Sequence, residues 1–286
     1  MGNGLVGSIP YEIFLLGELT SLTLLNNNIG GTIPEIMGTN MTKMESLILQ
    51  GNLLQGSIPD AFMNNAPIRT LLLADNNLSG PVPFNLGNPA TLEILSLQEN
   101  ELSGSIPSGF GDYSNLRTLS LADNGLSGAV PDDIFEMPNL ERLWLNDNRR
   151  LSGSIPASVS AMTFLSELRL GRTSMGGSIP TEVFGLGSLS QLLLNNANFD
   201  GDLSEDFSSL ASTLRRLELQ GNDFSGPVPA AFDSLINLNI LRLEFNDLTG
   251  SISEEICSRR GSSRNDLQEL STDCEEVLCD CCTTCF

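Results

Sequence analysis

Leucines recur along this chain at two spacings. They alternate with other residues inside a short segment, and the segment returns every 24 or 25 residues; a clean copy, LEILSLQENELSGSIP, covers Leu92–Pro107 and is followed by others at Leu116–Pro131 and Leu214–Pro229. The alternation in L-x-x-L-x-L predicts a short strand that is buried on one face. Because one copy is too small to bury its own apolar face, the pattern predicts that successive copies stack and share a core.

The register of the repeat can be followed through the last residue of each copy. This residue is proline in nine of eleven copies, the first of which is partial; the positions are Pro10, Pro34, Pro59, Pro83, Pro107, Pro131, Pro156, Pro180, Ser204, Pro229 and Ser253. Each copy also carries a glycine three residues before that position, as at Gly80 and Gly104. We expect these glycines to serve backbone geometry and not catalysis.

An asparagine follows the strand in most copies. The positions are Asn27, Asn52, Asn76, Asn100, Asn124, Asn148, Asn222 and Asn246. A buried amide at this position can bond to the backbone of adjacent turns, so we interpret the row as structural and not as a ligand ladder. Thr173 and Ala197 interrupt the row, and alanine cannot make such bonds. We therefore expect a less regular structure between residues 173 and 204.

The motif L-x-G-x-I-P after each strand resembles that of plant-type leucine-rich repeats, and the resemblance extends from Asn3 to about Ile256. It implies an α/β-type solenoid, a right-handed superhelix or horseshoe. A parallel β-sheet would line its concave face, and 3-10 or irregular segments its convex face. We expect a solenoid over residues 1–256 and a cysteine-rich C-terminal cap over residues 257–286. Similar proteins include receptor-kinase ectodomains and secreted leucine-rich-repeat inhibitors.

Charge and composition exclude several functions. The net charge of −21 would repel the phosphates of nucleic acids and anionic membranes, and it favours a soluble monomer. The chain has no histidine and one lysine, Lys43, so triads that need histidine, histidine-ligated zinc and the usual phosphate-binding motifs are absent. We expect no cofactor, no bound metal and no membrane span. The start resembles a chain that has lost a signal peptide and part of its first repeat.

All six cysteines lie within the last thirty residues. They are Cys257, Cys274, Cys279, Cys281, Cys282 and Cys285. Disulfides that close the end of the stack are favoured, and these would require an oxidising compartment. A metal-thiolate site is a second interpretation, although paired C-x-x-C spacing is missing. Reactive thiols are a third, disfavoured because the surrounding acidic residues suppress the thiolate. The short LQEL at 267–270 is predicted to form one last strand.

Two sequons support an extracellular location. They are Asn40-Met-Thr and Asn77-Leu-Ser, and we treat Asn40 and Asn77 as candidate N-glycosylation sites.

The resemblance implies that strand residues between the leucines face a partner. In early repeats these residues are small and neutral, such as Ser46 and Thr70. From the seventh repeat on they change to the set Arg142, Trp144, Glu167, Arg169, Arg172, Arg216, Glu218, Arg242, Glu244 and Phe245. Because Leu143 and Leu145 occupy inward positions, Trp144, the only tryptophan, must point outward. Tryptophan and arginine are enriched at binding hot spots, and clustered arginines would attract an acidic ligand.

The sequence thus predicts a non-catalytic, extracellular recognition module for signalling, defence or cell-surface recognition. Its ligand would be a protein, a peptide or an acidic polysaccharide. One alternative concerns the charged face, which could be a merely solvated surface. The other concerns the whole chain, which could be an adhesive or cell-wall component whose repeats act as a stiff spacer. Nothing distinguishes acidic pairs such as Asp132-Asp133 from ordinary loop residues, so an enzyme is not predicted.

Overall fold

A computed structural model describes residues 2–60, 62–261, 263 and 266–286. The chain forms two compact units, Met1–Leu151 and Ser152–Phe286. Both units are built from short parallel strands.

Each complete repeat contributes two short strands, and the partial first repeat contributes one. In the first unit these are β1 (Val6–Ser8), β2 (Ser21–Thr23), β3 (Asn28–Gly31), β4 (Ser46–Ile48), β5 (Leu53–Ser57), β6 (Thr70–Leu72), β7 (Asn77–Gly80), β8 (Ile94–Ser96), β9 (Glu101–Gly104), β10 (Thr118–Ser120), β11 (Gly125–Ala129), β12 (Arg142–Trp144) and β13 (Arg150–Gly153). The second unit contains β14 (Glu167–Arg169), β15 (Ser174–Gly177), β16 (Gln191–Leu193), β17 (Asn198–Asp202), β18 (Arg216–Glu218), β19 (Asp223–Pro227), β20 (Ile240–Arg242), β21 (Asp247–Ser251), β22 (Glu269–Thr272), β23 (Val277–Leu278) and β24 (Thr284–Cys285).

Even-numbered strands pair with one another in parallel, and odd-numbered strands do the same. In the first unit Leu119 of β10 lies opposite Leu95 on one side and Leu143 on the other. In the second unit Leu217 of β18 lies opposite Leu192 and Leu241. Leucine therefore faces leucine across each ladder, which places one face of every even-numbered strand in the core. We call the opposite face of these strands the strand face.

Short helical segments connect the strands on the other side of each repeat. The first unit has α1 (Glu35–Asn40) and 3-10 helices at Tyr11–Leu15, Phe110–Asp112 and Asp132–Glu136. The second has α2 (Glu254–Ser258) and 3-10 helices at Ala157–Ala161, Thr181–Gly185, Glu205–Leu210 and Ala230–Ser234. Most of them follow directly after the repeat's proline, whose fixed φ suits the residue before a helix. These segments are the 3-10 elements that the resemblance implied.

The asparagine row has the structural role that the sequence predicts. Asn76 is buried, and its amide nitrogen donates to the carbonyl of Leu49 in the preceding repeat at 3.1 Å and to that of Leu73 at 3.1 Å. Its Oδ1 accepts the backbone N–H of Leu54 at 3.0 Å. One side chain thus satisfies buried backbone groups in two repeats, where an unmade bond would cost about 1–3 kcal/mol.

The expected irregularity near residues 173–204 is wrong, because strand pairing continues through β14, β16 and β18 and through β15 and β17. An asparagine at position 197 would form hydrogen bonds with the backbone of Leu170 and Met175. Asn222 forms the same bonds with the backbone of Leu194 and Phe199 one repeat later. The hydroxyl group of Thr173, in the same repeat as Leu170 and Met175, takes the place of this missing amide. It donates to the Leu170 carbonyl at 2.7 Å and accepts the Met175 N–H at 3.3 Å.

Substituting Thr173→Val is expected to lower the free energy of unfolding by about 1–3 kcal/mol, because two buried backbone groups lose their partner. Adding Ala197→Asn to this variant should restore most of the loss, since asparagine there recreates the regular arrangement. Urea denaturation of both variants measures the effect, with the exposed Thr163→Val as control. No recovery in the double variant would show that Thr173 does not replace the missing amide.

The cysteine-rich segment extends the stack instead of lying over it. Predicted at 267–270, the last strand is found at Glu269–Thr272 and pairs with β20, while β23 and β24 pair with β21 and β22. Leu270 and Val277 are fully buried, so the core continues into this segment. The cysteines form three disulfides, Cys257–Cys281, Cys274–Cys285 and Cys279–Cys282. With every thiol paired, none is free to bind metal or to react.

Within the described residues, no helix has the length and apolar character needed to span a bilayer.

Candidate functional site

The strand face of the first unit changes character along the stack. Small side chains dominate its middle, where Ser96, Thr118 and Ser120 are buried. At β12 the face becomes larger and charged: Arg142 is half-buried, and its Nε donates to the Thr118 hydroxyl at 3.0 Å. The side chain is therefore held against the neighbouring strand and extends over the small residues beside it.

Trp144 has the orientation that the repeat register predicts. The leucines on either side of it, Leu143 and Leu145, have 0% exposure, whereas Trp144 itself is only half-buried. It lies opposite Ser120 of β10. Arg149 and Arg150, which stand where other repeats have a single residue between the asparagine and the next apolar position, are both exposed. A large amphipathic ring on an ordered strand, with part of its surface accessible, is suited to contact a partner.

In the second unit the strand face begins with an ion pair inside one strand. Arg169 donates to Glu167 at 2.7 Å and to Gln191 of the neighbouring strand at 3.1 Å. The side chain of Glu167 is 18% exposed and that of Arg169 is 30% exposed. The carboxylate therefore lies deeper than the guanidinium that it holds.

The same arrangement continues over the next strands. Arg216 donates through Nε to Glu218 at 2.6 Å, and Arg242 donates through Nε to Glu269 at 2.8 Å. Glu218 is buried and lies between these two arginines, with the Nη1 of Arg242 at 4.0 Å. Glu167 and Glu218 are thus less exposed than the arginines that they hold, which form a guanidinium layer, whereas Arg242 and Glu269 are about equally exposed, at 32% and 35%. Double anchoring of this kind fixes planar donors that would otherwise be mobile.

Arg242 lies near three carboxylates, those of Glu269, Glu218 and Glu244. Burial by itself lowers its pKa, but the hydrogen bond to Glu269 and the charge of Glu218, followed by other nearby carboxylates, outweigh burial. The pKa of Arg242 is therefore raised above its ordinary value. Its neighbour Glu244 is buried and accepts a hydrogen bond from Ser271.

This pairing corrects one part of the sequence-based expectation. Clustered arginines were expected to create a positive field for an acidic ligand. Arg169, Arg216 and Arg242 are instead each bonded to a carboxylate, which cancels most of the field beyond a short distance. The face offers fixed donors and acceptors in alternation, and the physical argument for an acidic polysaccharide is lost.

Three of the predicted residues do not lie on a strand: Arg172 follows β14, and Glu244 and Phe245 follow β20. Arg172 and Phe245 have a left-handed backbone, with φ of 54° and 59°. Most other repeats place asparagine, aspartate or glycine at this turn, as at Asn196 and Gly221, and one places Glu99 there. The side chains of Arg172 and Phe245 are exposed. Arg172 and Phe245 therefore lie at the rim of the strand face, whereas the predicted residues within β14, β18 and β20 lie on it.

The sequence prediction missed three side chains that complete the row. Gln191 and Glu269 bind the predicted arginines, and Ser271 binds Glu244. Gln191 and Glu269 occupy the same strand position as Arg142 and Arg216. The repeat register alone could have identified them if every such position had been included, neutral ones as well as charged ones.

The two sequons lie at different kinds of position. Asn77 is exposed at the start of β7, and Asn40 is half-buried at the end of α1. The exposed Asn77 is the more accessible of the two to a glycosylating enzyme.

Comparison with known families identifies the repeat. A leucine-rich-repeat family model matches residues 90–149, and a second one matches residues 43–65 and 213–235. Receptor-like protein 6 of Arabidopsis thaliana is 40% identical over 62 residues, which are 22% of this chain and 6% of that protein. Receptor-like protein 31 of the same plant is 36% identical over 62 residues, 22% of this chain and 7% of its own length.

Solved structures extend the likeness over nearly the whole chain. The plant peptide hormone receptor RGFR1, in complex with RGF2, superposes with a TM-score of 0.83 and 32% identity and covers 96% of this chain and 41% of its own. The Arabidopsis receptor kinase HAESA, in complex with the peptide hormone IDA and the co-receptor SERK1, superposes with a TM-score of 0.84 and 33% identity. The match covers 93% of this chain and 43% of the HAESA chain. This chain therefore spans less than half of these receptors and a small fraction of the two curated relatives.

Proposed function

We propose that this chain, a leucine-rich-repeat protein similar to plant receptor ectodomains, is a non-catalytic recognition module that binds a peptide or protein on its strand faces. The row of ion-paired arginines in the second unit carries the proposal. A merely solvated surface has no need of buried carboxylates such as Glu218, because burying a charge is costly unless the group is firmly bonded. Anchored guanidinium groups bind at a lower entropic cost than mobile ones.

A polypeptide fits the chemistry of this row better than a polysaccharide does. The row presents arginine donors next to glutamate and glutamine acceptors, and a peptide backbone carries both complementary groups in alternation. In the first unit Trp144 offers apolar surface for a side chain. The structural neighbours RGFR1 and HAESA are peptide-hormone receptors, which supports the same class of ligand for this chain.

An extracellular location belongs to the same proposal. Three disulfides require an oxidising compartment, and the receptor-like relatives support such a setting. Recognition in signalling or defence follows from the location and the ligand class together. The rival function is a stiff adhesive spacer. A spacer would not require arginine side chains that are held in fixed positions.

Binding is tested by immobilising the full chain and exposing it to the secreted fraction of its source cells. We expect a polypeptide to be retained, and Trp144→Ala to weaken its binding by about ten-fold or more, as hot-spot substitutions do. Arg216→Lys with Arg242→Lys keeps both charges but removes the planar fork, so it should have a comparable effect.

The matched control is Phe164→Ala, which removes an exposed aromatic ring located away from the strand face. It should bind as the native chain does. If both strand-face variants retain the same polypeptide as strongly as the control, the recognition proposal is wrong and the spacer function is favoured.

A further inference from the structure

An open pocket of about 470 Å³ lies at the C-terminal end of the second unit, between the turn after β20 and the residues that follow β22. Its apolar surface comes from two phenylalanines, Phe245 and Phe286, whose ring centroids are 4.8 Å apart. Both rings are more than half exposed, at 59% and 52%. The rings are tilted by 55° to each other, and because both remain open to solvent, either ring can serve as a platform on which a flat group stacks.

Carboxylates surround this platform. Asp247, Asp273, Glu275 and Glu276 line the pocket, and no lysine or arginine is among the described residues that line it. Asp273 is already used, because its two oxygens accept the backbone N–H groups of Phe245 at 2.8 Å and of Asn246 at 3.1 Å. The carboxylates of Asp247, Glu275 and Glu276 bind no other described residue, and all three residues are exposed. Three acceptor groups therefore remain available beside the rings.

We propose that this pocket binds the guanidinium group of an arginine side chain of a partner polypeptide. A guanidinium group is planar and always charged, so it can stack on one ring while its N–H groups donate to carboxylates at the edge. An ammonium group would use the charge but not the flat platform. A neutral apolar group would use the platform but leave the carboxylates unpaired.

This pocket adjoins the rim of the strand face through Phe245, but it is distinct from the arginine row. Arg216, Arg242 and Trp144 do not line it, and its charge is opposite in sign to that of the guanidinium layer described above. The proposal therefore goes beyond the proposed function and does not depend on it. A partner that carries one exposed arginine could engage the end of the stack whether or not the strand face is occupied.

The test uses the full chain with its disulfides intact and two blocked pentapeptides, Ac-Gly-Gly-Arg-Gly-Gly-NH2 and the same peptide with citrulline in place of arginine. Citrulline is nearly isosteric but neutral. At low ionic strength, isothermal titration calorimetry should show that the arginine peptide binds about ten-fold or more tightly than the citrulline peptide. Equal affinities would overturn the proposal.

Two substitutions locate the binding. Phe245→Asn removes one ring and inserts a residue that other repeats place at this left-handed turn, so the variant should unfold at the native temperature or above. Its affinity for the arginine peptide should fall about five-fold or more. Glu275→Gln with Glu276→Gln should do the same by removing two charges.

Matched controls exclude general attraction to an acidic chain. Phe164→Asn removes an equally exposed ring elsewhere in the unit, and Glu254→Gln with Glu255→Gln removes the same charge from α2. Both should bind the arginine peptide as the native chain does, as should Trp144→Ala. Loss of binding in these controls equal to that in the pocket variants would refute a site at the pocket, as would native binding by Phe245→Asn.

Discussion

Replacing Phe207 with alanine is expected to lower the free energy of unfolding by about 3–5 kcal/mol. The side chain is fully buried in the second unit, and its ring centroid lies 4.8 Å from that of Phe184 and 5.2 Å from that of Phe232, both in edge-to-face geometry. Phe207 is the middle member of this row, so its removal opens a cavity and breaks two aromatic contacts. Because each repeat is held only by its neighbours, the stack is weakened at that point.

Urea denaturation followed by circular dichroism measures this loss, and hydrogen exchange shows whether the repeats around Phe207 open first. Phe164→Ala serves as the control, since its ring is 58% exposed in the same unit. We expect the control to change stability by about 0.5 kcal/mol or less. Equal losses in the two variants would mean that the phenylalanine row does not support the core.

Leu145→Ala should have the second largest effect, a loss of about 2–5 kcal/mol, because the side chain has 0% exposure in the core of the first unit. The adjacent Trp144→Ala removes a larger side chain. It should nevertheless cost about 1 kcal/mol, since that ring is only half-buried and leaves no closed cavity.

The comparison of these neighbours tests the repeat register directly. Thermal and urea unfolding of both variants, under identical conditions, give the two losses. A Trp144→Ala variant as unstable as Leu145→Ala would place the tryptophan in the core and would remove it from any recognition surface.

Much of the fold follows from the repeat alone. The positions of Leu143 and Leu145 inside, of Trp144 outside and of Asn76 against the backbone are all predicted by alternation and spacing, and the structure confirms them. These predictions succeed because a strand has a period of two residues and each copy meets an almost identical copy. In such a stack, the spacing of residues along the chain also determines which residues contact each other between repeats.

Prediction failed where one repeat departs from its neighbours. Ala197 suggested an irregular segment, but Thr173 replaces the missing amide from the previous repeat. Phe245 was predicted to lie on the strand face. It lies instead in a turn and contacts Phe286, and the repeat pattern does not predict this contact. Both outcomes depend on side chains that are distant along the chain and specific to one place in the stack.

By itself, the sequence determined the repeat unit, its inward and outward faces and the exclusion of histidine-based catalysis, because these depend on residue identity and a fixed spacing. Only the tertiary structure decided which cysteines pair, that Glu167 and Glu218 lie deeper than the arginines that they bind, and that an acidic aromatic pocket forms at the C-terminal end of the second unit. The physical reason is that charge pairing, disulfide bonding and pocket formation depend on distances between particular atoms. A periodic pattern specifies which positions meet but not how their side chains are arranged.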